Sequence, residues 1–441
     1  MRAKRTRKPN IVIPLLLILT LMFGGYFVYH LNNEIGIYRQ AAADADSFFR
    51  FYSPQPFINS AAAAEPYHYD APPEEALYIY EAPEGFTIVS HSPAWNPEML
   101  ELLRHELMRN VHGDEMNFLY EIIIYPYAEE DERAAAKYTL TTKAVNIFFL
   151  FPAFPPDFSV DFPQPIGSIT LYNGDINTTI ESMAGSLSHE YGHLYTHYYM
   201  FDVKDTEADS VAQSMYASLR EANRFNLLSS ISRDDLYWQE RHRYMIETAA
   251  EDYVQLMGSP TTRQVIDYPD IRQLINNTQQ PERVSTARNA VPQENMMIPL
   301  ANDVPGLKEY FYSYIDIEPR IPVEEKKEVS LQIRRNSIEH NLVSGFRTFI
   351  HYEITWNTPY QNAIYTLACY DPHNYTGFAI PIKTVHSGQT ASAVIGEYVI
   401  TRGEQVFSMN DGLAEGTAVF YVVALLPDGT FYISEKLEHD F

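Results

Sequence analysis

Apolar and polar positions change their rhythm along this chain. From Leu77 to about Met257, β-branched and aromatic runs alternate with stretches of helical period, which predicts a mixed α and β unit. Phe86–His91 (FTIVSH) predicts a strand. Asn96-Pro97 predicts a helix start, a cap followed by proline at the first helical position, and Met99, Leu102, Leu103 and Leu107 recur at helical spacing to about Asn110. Tyr120–Tyr125 (YEIIIY), Ala144–Phe151 (AVNIFFLF) and Ile169–Tyr172 (ITLY) predict further strands. Between the last two, the prolines of FPAFPPDFSVDFPQP predict an irregular loop, residues 152–165, rather than a regular element.

Thr178-Thr179-Ile180-Glu181 is a capping-box pattern that opens a helix to about Met200, with Ile180, Met183, Ala184, Leu187 and Leu194 as its core face. Two more helices are expected, at about Glu207–Asn223 and about Arg241–Met257. The second is closed by Gly258-Ser259-Pro260. After about Glu318 the pattern becomes short strands separated by turns: Val329–Ile333, Thr348–Trp356, Ile364–Tyr370, Ile380–Val385 and Ala418–Leu425. Pro427-Asp428-Gly429 then turns into Thr430–Ser434. This spacing predicts an all-β sandwich over residues 319–441.

The N-terminus has a different character. Five Lys and Arg and no acid stand in the first ten residues, and residues 11–29 are uncharged. As a helix that segment would span roughly 28 Å, which predicts a basic cytoplasmic tail and a single transmembrane anchor over residues 1–30. The Ala-, Pro- and Tyr-rich stretch 31–75 is expected to be a stalk, leaving residues 76–318 and 319–441 outside the cell. A net charge of −25, with 57 acids against 32 Lys and Arg, argues against nucleic acid as a partner. The single cysteine, Cys369, excludes an intrachain disulfide and a thiolate zinc framework, and its apolar strand predicts an inert buried thiol. Any metal is therefore held by nitrogen and oxygen.

The candidate chemistry lies in SLSHEYGHLYTHYY, residues 186–199. His189-Glu190-Tyr191-Gly192-His193 is an H-E-x-x-H segment. On a helix, residues four apart lie about 40° from one another around the axis, so both imidazoles face one ion. Glu190, about 100° from His189, is placed beside that ion as general base for a reacting water. Gly192 opens the backbone for close approach of a neighbouring strand. His197 is at the wrong offset for a ligand and is expected at the surface or behind the ligands. A two-histidine site needs a third protein group. Glu247, in YMIETAAEDY, is the candidate, because Met245, Ile246, Ala249, Ala250 and Tyr253 interleave the acids with apolar residues and imply burial. Glu251 or Asp252 would then orient a ligand histidine through its free ring N–H.

H-E-x-x-H on one helix and a glutamate on a second, followed by an acid four residues later, resembles the gluzincin metallopeptidases. Within them ETAAEDYVQLM resembles a segment of the anthrax lethal factor catalytic domain and of the secreted Pro-Pro endopeptidases. The resemblance covers about residues 85–258. It implies a zincin-like fold, one Zn²⁺ held by His189, His193 and Glu247, Glu190 as base, Glu251 behind the ligands, and a peptide or protein substrate. Those families place a catalytic tyrosine seven residues before the ligand glutamate, where this chain has Glu240. Tyr244, Tyr237, His242 and Arg243 are the candidates near that face for stabilising an oxyanion. The strand Ile169–Tyr172 is expected to offer an edge to an extended peptide, walled by loop 152–165. The C-terminal strands resemble an immunoglobulin-like or fibronectin type III-like domain, with a cell-surface or cell-wall partner. The alternative reading is a catalytically inactive surface scaffold built from the same parts.

Overall fold

The structure is a computed structural model and describes residues 75–127, 136–145, 160–201, 214–228, 243–263, 292–315, 317–319, 324–342, 345–373, 380–402, 405–410, 413–414 and 416–441. The expected tail, anchor and nearly all of the stalk lie outside these residues. Among the described residues, no helix is long and apolar enough to cross a membrane.

The chain is α+β, with several sheets and few helices. Its first sheet has the order β1 (Tyr78–Glu81), β2 (Thr87–Ser90), β3 (Leu119–Ile124), β5 (Val160–Leu171), β4 (Ala136–Val145). β2, β3 and β5 run parallel, and β1 and β4 are antiparallel to their neighbours. Helix α1 (Pro97–Leu107) covers one face with Leu100, Leu103 and Leu107. Its cap is as expected, Asn96 Oδ1 accepting the Met99 N–H at 3.1 Å, but Leu102 points outward.

Two strand expectations change. Of the strand expected at Ala144–Phe151 only Ala144 and Val145 are described, as the end of β4, which begins at Ala136; residues 146–151 lie outside the described set. Within the segment expected to be a loop, residues 160–165 are part of β5, including Pro163 and Pro165. That half of β5 pairs with β4 only, while β3 joins from Gly167 onward. A proline there costs no ladder hydrogen bond on the unpaired side, as on an edge strand. Ile169–Leu171, by contrast, is flanked by β3 and β4, so it is no edge. The edge is β4.

Helix α2 (Ile180–Tyr199) starts one residue later than the capping-box pattern indicates. Thr179 accepts the Ser182 N–H at 3.2 Å, and Ser182 rather than Glu181 answers it. Met183, Ala184, Leu187 and Leu194 are buried as expected, with Ile180 half-buried. The next helix is reduced to α3 (Met215–Leu219), since residues 207–213 lie outside the described set and a run of turns follows Arg220. Helix α4 (Met245–Met257) begins after the expected Arg241. Leu228 donates to the Arg243 carbonyl at 2.7 Å and accepts from Met245 at 2.9 Å, so the backbone here is bridged rather than helical. A short helix, α5 (Leu307–Tyr312), is not foreshadowed by the hydropathy pattern.

The C-terminal strands form two sheets around one core. β6 (Leu331–Leu342), β7 (Gly345–Trp356), β10 (Ser392–Arg402) and β11 (Gln405–Asn410) make the first, in the order β11-β10-β7-β6. β8 (Ile364–Tyr370), β9 (Ile380–His386), β12 (Thr417–Leu425) and β13 (Phe431–Ile433) make the second, with β14 (Leu437–Asp440) also paired to β12. Gly429 at φ 82° closes the expected hairpin turn, a conformation that only glycine adopts cheaply.

Alternation sends Tyr365, Leu367, Cys369, Phe420, Val422 and Ala424 inward against Ile354, Trp356 and Ile395 of the first sheet. The opposite face of β8 and β12 is also buried. Ala368, Tyr370, Val419, Tyr421, Val423 and Leu425 pack with Met296 and Leu300 from the preceding stretch 292–300. A hydrophobic cluster therefore crosses the expected domain boundary at residue 318.

Candidate metal centre

Two buried helices meet at the site. α2 and α4 pack so closely that a Cβ on Gly192 would stand 2.9 Å from the Ala250 carbonyl oxygen and 3.2 Å from Tyr253 Cβ. The neighbour that needs the glycine is thus a helix and not a strand. The small pair Ala249-Ala250 presents no bulk at the crossing, which brings the first turn of α4 against the middle of α2.

That approach gathers His189, His193 and Glu247. One donor atom from each lies within 4.8 Å of the other two. His189 Nε2 is 3.3 Å and His193 Nε2 3.9 Å from Glu247 Oε2, and the two rings stand edge to face with centroids 4.9 Å apart. Glu247 is the third residue of α4, where the positive end of the helix dipole favours a carboxylate. His193 and Glu247 are 1% and 2% exposed, against 15% for His189, so solvent reaches the cluster from the His189 side. Two imidazoles and one carboxylate are donors suited to Zn²⁺, and three such ligands leave a fourth position for water or substrate. The residues present fit the ion.

Glu190 follows His189 on α2 and is buried. His197 is buried too, rather than at the surface, and is not part of the ligand cluster. Tyr244 is the N-cap residue of α4, 1% exposed, its carbonyl accepting from the Thr248 backbone and hydroxyl. Arg243 donates to the Asn226 carbonyl at 3.0 Å. Tyr237, Glu240 and His242 lie outside the described residues.

The acids after Glu247 diverge. Asp252, five residues on, is rotated about 140° from Glu247 around the helix. Its carboxylate meets Arg220 and Tyr216 instead of a ligand histidine. Arg220 Nε and Tyr216 Oη donate to one oxygen at 2.8 and 2.7 Å, and Arg220 Nη2 donates to the other. Both side chains of this ion pair are fully buried. Burial raises the Asp252 carboxyl above its ordinary value, against the opposing pull of Arg220 and Tyr216. Glu251, one turn from Glu247, accepts the Glu294 N–H at 2.7 Å.

Two contributors escape a reading of the sequence. Tyr138, on edge strand β4, is fully buried with its ring stacked on His193, centroids 6.3 Å apart. Burial pushes its phenol well above the ordinary value, so it stays protonated. The alternation of KYTLTTK was the available signal for this strand. Arg220 is the other; nothing local marks it, since its partner is on another helix.

Comparison with protein-family models, with curated proteins and with solved structures gives no match.

Proposed function

We propose that this chain is a zinc-dependent endopeptidase of the gluzincin kind, with a zincin-like catalytic unit, held at the membrane by residues 1–30 and acting outside the cell. The observation that carries the reading is the convergence of His189, His193 and Glu247 from two helices, with Glu190 next to the first ligand. A zinc ion held by such donors polarises a carbonyl and acidifies a water.

The chain's own groups supply the rest. Glu190 accepts the proton of the attacking water and returns it to the leaving amine. His193, backed by the Tyr138 ring, is shielded from solvent, and His189 marks the open side. Edge strand β4 takes the role first given to Ile169–Tyr172, pairing with an extended peptide through backbone groups not used by β5. Tyr244 is the proposed oxyanion donor; Tyr237 is the competing choice.

The test uses the purified full-length chain. About one equivalent of bound zinc, together with peptide-library cleavage that a chelator abolishes and zinc restores, is the expected result. A chain without metal is the inactive scaffold, and a metal-loaded chain that cleaves no peptide is not an endopeptidase.

A further inference from the structure

Along its length α4 is tied into one short stretch, residues 293–301, by side chains on more than one of its faces. The Glu251 carboxylate accepts the Glu294 N–H. Gln255 Nε2 donates to Gln293 Oε1 at 3.0 Å, and its Oε1 accepts the Ala301 N–H at 3.0 Å. Gln293 in turn donates to the carbonyls of Asn295 and Ile298 at 2.8 and 3.1 Å, which holds the stretch in shape. Between these attachments sits Arg220. Its Nε and Nη2 take the two oxygens of Asp252, and its Nη1 donates to the Pro299 carbonyl at 2.7 Å.

Only a guanidinium fills this place. The carboxylate needs a planar fork, and the Pro299 carbonyl needs a further donor outside that fork; an ammonium is a point donor and cannot span both. Stability alone does not account for the arrangement. A fully buried ion pair returns little over well-packed apolar side chains of similar volume, because desolvation offsets the attraction. What the fork does fix is direction: the rotation of α4 about its axis and its position along it. Both quantities decide where Glu247 points.

We infer that Arg220 is a positioning residue of the metal centre, setting the aim of Glu247 through Asp252 without touching the ion. The inference rests on the metal-centre reading. Zinc ligands must close to about 2.0–2.2 Å of the ion, so a small turn of α4 moves the carboxylate out of the coordination sphere.

The experiment compares four full-length proteins: wild type, Arg220→Lys, the apolar pair Arg220→Met with Asp252→Leu, and Leu103→Ala in α1 as a core control outside α4 and the stretch it is tied to. Zinc affinity is measured by competition with a chelator, metal geometry by the visible spectrum of the cobalt-substituted protein, and stability by thermal unfolding. Both Arg220 variants are expected to bind zinc at least about tenfold more weakly and to shift the cobalt bands, the size seen when groups behind a ligand are removed. Leu103→Ala is expected to lose stability while keeping wild-type affinity and bands. Wild-type affinity and bands in the apolar pair overturn the inference; if that pair does not fold, the same result in Arg220→Lys overturns it. A wild-type protein that binds no zinc removes the metal-centre reading itself, and is seen before any variant is compared.

Discussion

Gly192 and Ala250 meet backbone to backbone: a methyl group on the first would stand 2.9 Å from the carbonyl oxygen of the second and 3.1 Å from its Cα. Neither backbone atom can swing aside as a side chain would. The separation of the two donor-bearing helices is set at this crossing.

Gly192→Ala therefore tests the crossing. Alanine gains about 1 kcal/mol of helix propensity, but forcing a methyl into packed backbone costs about 1–3 kcal/mol. A lower melting temperature and weaker zinc binding are expected together. A variant with wild-type values for both would show slack at the crossing that this geometry denies.

Glu190→Gln separates binding from chemistry. The amide keeps the shape of the side chain and cannot take a proton from water, so zinc content is expected to stay at wild type. Hydrolysis should fall by about 10²–10⁴-fold, the usual contribution of a general base. Retained turnover in single-turnover assays would remove Glu190 from the reaction.

Glu247→Gln bears on the ligand set. Zinc at a thousandfold excess over its dissociation constant stabilises a folded binder by about 4 kcal/mol. The wild type is expected to show that gain on zinc addition in denaturant titrations, and the variant to lose most of it. An equal gain in both would mean the ion is held elsewhere.

Lys436 gives a pH signature. Although the residue is exposed along its length, its ammonium donates to the Met296 carbonyl and lies 5.3 Å from the Tyr370 ring centroid. Burial there pulls its pKa down to about 8 from 10.5. Below about 8 the group is charged in both states, and the folded chain carries the cost of its partial burial. Between about 8 and 10.5 the unfolded chain holds a proton that the folded one has released, so stability rises with pH. Lys436→Met should be the more stable protein at pH 7.5, with the gap to wild type narrowing by pH 9.5. A gap that does not change with pH would mean that the lysine is not the titrating group.

The His189–His193–Glu247 cluster was legible because its logic is local. His189, Glu190 and His193 sit on one helix at a spacing that needs no knowledge of the fold, and Glu247 announced itself by the apolar residues around it. What the sequence hid depends on distant partners. The start of α4 moved from Arg241 to Met245 because Leu228 claims the Arg243 carbonyl and the Met245 N–H. Asp252 reads in sequence as support for one of those histidines, but its partner is Arg220, remote in sequence. Pro163 and Pro165 read as breakers because the unpaired side of β5 is a property of the sheet and not of the segment. Gly192 foretold a close neighbour but not its kind.

The seam between stretch 292–300 and the outer side of β8 and β12 makes the two halves of the chain poor building blocks. Residues 319–441 expressed alone would carry Tyr370, Val419, Tyr421, Val423 and Leu425 on an uncovered oily wall, and such walls drive clumping in water. The C-terminal sheets are therefore not hung on the rest of the chain like a bead on a string: they share a buried seam with the stretch before them, and neither side of that seam is complete without the other.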